Sequence, residues 1–196
     1  MYLDRIFKYN VGNNMSDKKF KLNKEDFILY ILNKLEPEKS DKIRLNKLAF
    51  FVEFAYLLRF NQDLSNTEFA AIDMGPVIND YDVILKAMQK KGLVKMDGYV
   101  LRPLKSPSVE IPTDIRMFMD TIIDKYSKLT KNELIGLSHL TDAYKITTDN
   151  EKKMGFKINK KLALLETFLT DDDQADQPRE DELPRINRSQ LIKYAR

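Results

Sequence analysis

Apolar residues crowd one stretch of this chain. Between residues 48 and 60 only Glu53 and Arg59 are charged. Ile43, Phe50, Phe54, Leu57 and Leu58 fall on one face of a helix, and Leu45, Leu48, Val52, Ala55 and Tyr56 fall on the others. A helix that is apolar all round is either a buried core helix or a membrane span. A span needs about 20 apolar residues, and this run is shorter. The pattern therefore predicts the central helix of a soluble domain, with other elements packed around it. A charge inside such a helix is seldom unpaired, so Glu53 and Arg59 are expected at its edge or opposite a charge from another element.

The flanking patterns are mainly helical. Residues 24–35 carry Phe27, Ile28, Ile31 and Leu32 at helical spacing, with Asn23 as cap and Glu36-Pro37 as the stop. Ser40 is expected to cap the central helix. Residues 67–73 predict a short strand running into Met74-Gly75-Pro76-Val77, read as a sharp rigid corner because glycine supplies unusual backbone angles and proline fixes φ. A helix follows from Asn79 or Asp80, with Tyr81, Val83, Ile84, Leu85 and Met88 apolar and Gly92 just past its end. Asp97-Gly98 between two short alternating runs predicts a hairpin. Thr113 is expected to cap a helix bearing Ile115, Phe118, Met119, Ile122, Ile123 and Tyr126. Thr130 and Glu133 form a capping-box pattern for a helix through Leu140. Residues 141–146 lead into a polar loop, and a last helix is expected over residues 160–169, capped by Asn159. The fold class is thus α+β, predominantly α-helical: a buried helix, helices packed on it, a short strand and a small hairpin.

Charge patterning sets the domain limits. Residues 1–23 are polar and lysine-rich and are expected to form a loose arm. Residues 171–182 are densely acidic, while residues 185–196 are basic and contain no acid. Residues 170–196 therefore read as a disordered tail, either a partner-binding segment or a solvated terminus. The domain is expected over residues 24–169. The 196 residues, 43% hydrophobic and 32% charged, suffice for one core. The start of the chain shows no apolar run of signal-peptide length, and no segment reads as a membrane span. A cytoplasmic location is expected, in line with the absence of cysteine.

Composition narrows the chemistry. With no cysteine and one histidine, His139, there is no thiolate metal site, no two-histidine zinc site and no histidine triad beyond that one ring. The six glycines are scattered, and none builds a phosphate-cradling loop. An enzyme would have to rely on Asp, Glu, Lys or Tyr, so no enzymatic role, cofactor or metal is expected. His139 itself reads as structural, at a helix end or against a buried backbone group. The helix after residue 80 and the hairpin behind it look like the end of a winged helix. Lys86, Lys90, Lys91 and Lys95 would then face phosphates, although no Arg/Asn/Gln set is present for base edges. The net charge of +3 says little either way.

Several motifs recur in one order. Leu45-Asn46-Lys47-Leu48 opens an aromatic-rich helix ending Tyr56-Leu57-Leu58. Phe69-Ala70 and then Met74-Gly75-Pro76-Val77 follow, and Leu137-Ser138-His139-Leu140-Thr141-Asp142-Ala143-Tyr144-Lys145 closes the series. In this order, over about residues 25–146, the chain resembles the Panacea antitoxin domain, the SocA-like family often found in phage-associated proteins. Tyr144 stands where that family commonly has tryptophan. The resemblance implies an antitoxin that neutralises a protein toxin encoded nearby by binding it directly. One branch of the family instead delivers its toxin to a cytosolic protease. On this reading Asp73, Gly75, Pro76, Val77, Tyr81, His139 and Tyr144 are the candidate toxin contacts. A DNA-binding regulator is the competing reading, with DNA not the expected partner and no membrane partner expected.

Overall fold

In the computed structural model the described residues are 20–167. The fold is α+β and mostly helical, as the patterning predicts. Residues 1–19 and 168–196, which hold most of the expected arm and all of the expected tail, lie outside the described part. Leu22, inside the stretch read as an arm, is fully buried. It pairs with Ser65 in a parallel bridge.

Helix α1 spans Lys24–Lys34, and Asn23 accepts the Asp26 N–H at its start. A short 3-10 turn, Pro37–Lys39, leads to α2, Lys42–Phe60. Every residue of α2 from Leu45 to Leu57 is buried. Its cap is Asp41 and not Ser40: Asp41 Oδ1 accepts the N–H groups of Ile43 and Arg44 at 2.9 and 3.0 Å. The Ser40 hydroxyl instead donates to the Leu101 carbonyl at 2.6 Å. Side chains from all quarters pack on α2. Phe50 meets Phe54 and Phe69, and Phe51 stacks on Tyr126 with ring centres 4.3 Å apart.

Strands β1, Phe69–Ile72, and β2, Gly75–Ile78, form an antiparallel hairpin. This revises the expected corner: the turn is Asp73-Met74, and Gly75-Pro76-Val77 run along a strand. Proline is tolerated there because β2 is an edge of its sheet, whose order is β2–β1–β5. The Pro76 nitrogen and the Ile78 N–H share the side away from β1, so no ladder bond is lost.

Helix α3, Tyr81–Lys90, follows, and then β3, Val94–Asp97, and β4, Val100–Pro103. Asp97 pairs with Val100, so the hairpin loop is Gly98-Tyr99, with Gly98 at φ +59°. Helix α4 is Thr113–Tyr126; Thr113 is its first helical residue, and Pro112 precedes it without a side-chain cap. Helix α5, Lys131–Leu140, carries the full capping box of Thr130 and Glu133. Helix α6, Asp142–Thr148, replaces the expected lead into a loop. The short β5, Lys157–Ile158, joins the far side of β1. The last element among the described residues is a 3-10 helix, Lys160–Leu165, shorter than the expected α-helix but capped by Asn159 as expected.

The two charges of the apolar run within α2 divide. Glu53 is fully buried and bonds Lys160 Nζ at 2.5 Å and the Ser65 hydroxyl at 2.6 Å, so its partner does come from another element. Arg59 is exposed near the helix end. Among the described residues no helix is long and apolar enough to cross a membrane.

Candidate functional site

The outer edge of β2 would present unpaired backbone groups to whatever lies beside it. Here α2 lies beside it and supplies two polar side chains. Asn46 Oδ1 accepts the Ile78 N–H at 2.7 Å, and Lys47 Nζ donates to the Pro76 carbonyl at 2.9 Å. Both residues are buried. Adjacent positions on one helix thus seal two backbone groups on one strand edge.

Gly75 begins that strand at φ +85°, a conformation that side chains rarely adopt. A Cβ there would overlap the Ser138 hydroxyl and come within 2.9 Å of Lys47 Nζ and 3.1 Å of the His139 ring. Strand, central helix and the end of α5 therefore meet with no spare room.

His139 is buried and stacks obliquely on Tyr144, ring centres 4.6 Å apart. Its Nδ1 lies 2.7 Å from a carboxylate oxygen of Glu151, while Nε2 is buried with no hydrogen-bond partner among the described residues. Burial holds the imidazole below its ordinary pKa, against the pull of Glu151, and Lys47 adds to the depression. The neutral ring with Nδ1–H donated to Glu151 fits this setting and leaves Nε2 as an unprotonated acceptor. The Tyr144 hydroxyl donates to the Ile72 carbonyl at 2.8 Å. It thereby ties down the turn between β1 and β2. Its acidity is suppressed, first by burial and then by the Glu151 and Asp73 carboxylates. Among the described residues Lys47 forms no ion pair with a carboxylate, and burial lowers its amine to about 7.

Of the residues singled out from sequence, Gly75, Pro76, His139 and Tyr144 meet in this buried hub. Val77 is buried on the same strand, and Asp73 reaches solvent at the turn. Tyr81 lies apart, half-buried at the start of α3, with its hydroxyl toward Asp82 and Tyr99 nearby. Lys86, Lys90, Lys91 and Lys95 are exposed on α3 and the hairpin, and Lys91 Nζ bonds Glu25 at 2.7 Å. The sequence reading did not single out Asn46, Lys47, Ser138 or Glu151 for a role. A signal for the first two was present: two adjacent polar residues inside a helix otherwise apolar on every side. Nothing local marks Glu151, which comes from the turn after α6.

The hub is a lock and not an open cleft. Apart from His139 Nε2, its polar groups bond one another and the backbone, and among the described residues it reaches solvent at the β1–β2 turn and the segment beside it. That segment includes Phe156, 54% exposed, whose carbonyl accepts the Ala71 N–H at 2.9 Å. Compared with known proteins, residues 45–145 match the family described as Antitoxin SocA-like, Panacea domain. No curated protein and no solved structure matches the chain. The matched stretch runs from the first residues of the seal on α2 to one residue past Tyr144, just over half of the 196 residues. The chain therefore belongs to the SocA-like Panacea antitoxin family.

Proposed function

We propose that this protein is an antitoxin that neutralises a protein toxin encoded nearby by binding it directly. Membership of the antitoxin family over residues 45–145 is the observation that carries this reading. Protein interfaces centre on a few large side chains that are accessible before binding. Gly75, Pro76, Val77, His139 and Tyr144 face the interior, so their part is to hold the turn and the strand in place. The contact itself falls to the margin: Asp73 at the turn, with Phe156 on the neighbouring segment, and Tyr81 at the start of α3 as a separate candidate.

The test is co-expression with the product of the adjacent gene, following growth, complex formation and toxin level together. Rescue with a stable complex and an undiminished toxin supports neutralisation by binding. Rescue with protease-dependent loss of the toxin would replace it by delivery for degradation. Neither rescue nor complex would overturn the antitoxin reading. Phe156→Asp and Asp73→Arg should weaken the complex at least tenfold with the melting temperature unchanged, while Tyr81→Ala reports on the second candidate area.

A further inference from the structure

Positive charge is concentrated in one segment, α3 with the hairpin behind it. Residues 81–105 hold six basic side chains against two acidic ones, whereas the whole chain is only +3, so the remainder is net negative. The two acids do little to balance this segment. Asp82 is engaged by Lys42 Nζ at 2.9 Å, and Asp97 lies near the tip of the hairpin. Lys91 is engaged by Glu25.

Five of the six, Lys86, Lys90, Lys95, Arg102 and Lys105, have no ion-pair partner among the described residues, and all five are exposed. Lys95 and Arg102 are direct partners across the β3–β4 ladder. Directly opposed residues share a face, and like charges there repel. Lys86 and Lys90 stand four apart on α3, where like charges also repel. The helix and hairpin are continuous through the Leu93 N–H bonded to the Met88 carbonyl at 2.9 Å. Two separate like-charge pairs are thus left uncompensated on two adjoining elements.

We propose that this segment binds the phosphate backbone of duplex DNA. Lysine is depleted in the cores of protein–protein interfaces, whereas neutralising phosphates is what Lys and Arg do on nucleic acid. Four of the five free cations of this segment are lysines. The exposed residues of α3 are Val83, Lys86, Gln89 and Lys90; Gln89 alone is suited to a base edge, too little to specify a sequence, so binding rests on the phosphates. This inference stands apart from the antitoxin reading and does not depend on it.

The experiment is fluorescence anisotropy of the full chain with a labelled 20-base-pair duplex of mixed sequence, titrated at several salt concentrations from 50 to 200 mM. Four phosphate contacts predict a log–log salt slope of roughly −3 to −4. Lys95→Gln with Arg102→Gln should reduce the slope by about 2, and adding Lys86→Gln with Lys90→Gln should abolish binding. Lys128→Gln with Lys152→Gln removes the same charge elsewhere and should leave the slope unchanged. Thermal melting checks that each variant is folded. No binding at 50 mM salt, or equal losses in the control pair, would overturn the proposal. So would equal or tighter binding of polyglutamate, which would assign the segment to an acidic protein surface.

Discussion

Lys47 keeps a titratable amine at a place where, among the described residues, it bonds the Pro76 carbonyl and has no ion-pair partner. Burial lowers it to about 7 from an ordinary 10.5. The unfolded chain therefore holds a proton at this site that the folded chain sheds between those values. Stability contributed here is greatest above the upper value and declines as pH falls toward the lower one, by about 1.4 kcal/mol per pH unit. Lys47→Met should remove that slope: urea unfolding at pH 7.5, 8.5 and 9.5 should show wild-type stability rising with pH more steeply than the variant's. Gly75→Ala tests the neighbouring contact. It combines a positive φ with overlap onto Ser138 and Lys47 and should cost at least about 2 kcal/mol by the same assay. The sequence marks Gly75 by its proline neighbour, yet suggests a corner, because a Gly-Pro pair alone does not tell a turn from an edge strand. Lys47 was harder to read. Its partner is the carbonyl of Pro76, a group every residue has and no sequence pattern reveals.

Among the elements, those governed by local rules were legible. The capping box of α5, the proline stop after α1 and the hairpin around Gly98 depend on residues within a few positions of one another. Elements held from a distance were not. Helix α6 begins where the Asp142 and Ala143 N–H groups donate to Glu166, more than 20 positions away, at 3.0 and 2.8 Å. Glu166 is buried and pushed up to about 7. β5 has two residues, and only β1 gives it partners. The C-terminal 3-10 helix is fastened to α2 through Lys160 and Glu53. Lys160→Met would leave a fully buried carboxylate with only Ser65 for company, and loss of one partner of a buried pair costs about 3–5 kcal/mol. Chemical denaturation should show that loss, and hydrogen exchange should show the Lys160–Leu165 segment deprotected first. Lys160→Met with Glu53→Leu should recover much of the stability, because the buried charge is then gone.

For the whole molecule, the core closes within the described residues. Buried side chains run from Leu22 to Glu166, and the chain crosses itself repeatedly around α2. A chain trimmed to residues 20–169 should therefore unfold in one cooperative transition, within about 3 °C of the full chain's midpoint by calorimetry; two transitions, or a fall of 10 °C or more, would show that the flanking segments belong to the folding unit. The expected domain boundary of residues 24–169 would then move only by the few residues that place Leu22 beside Ser65.

The pairing of Glu53 with Lys160 spans 107 residues. Translation at about 5–20 residues per second separates the carboxylate from its ammonium by about 5–20 s. During that interval the most apolar helix of the chain has been made while part of its cover has not. A nascent chain in this condition is a client for chaperones and an open target for proteases. The supply of working protein therefore trails the supply of message, and any partner made from the same message in a shorter, more local fold starts ahead of it.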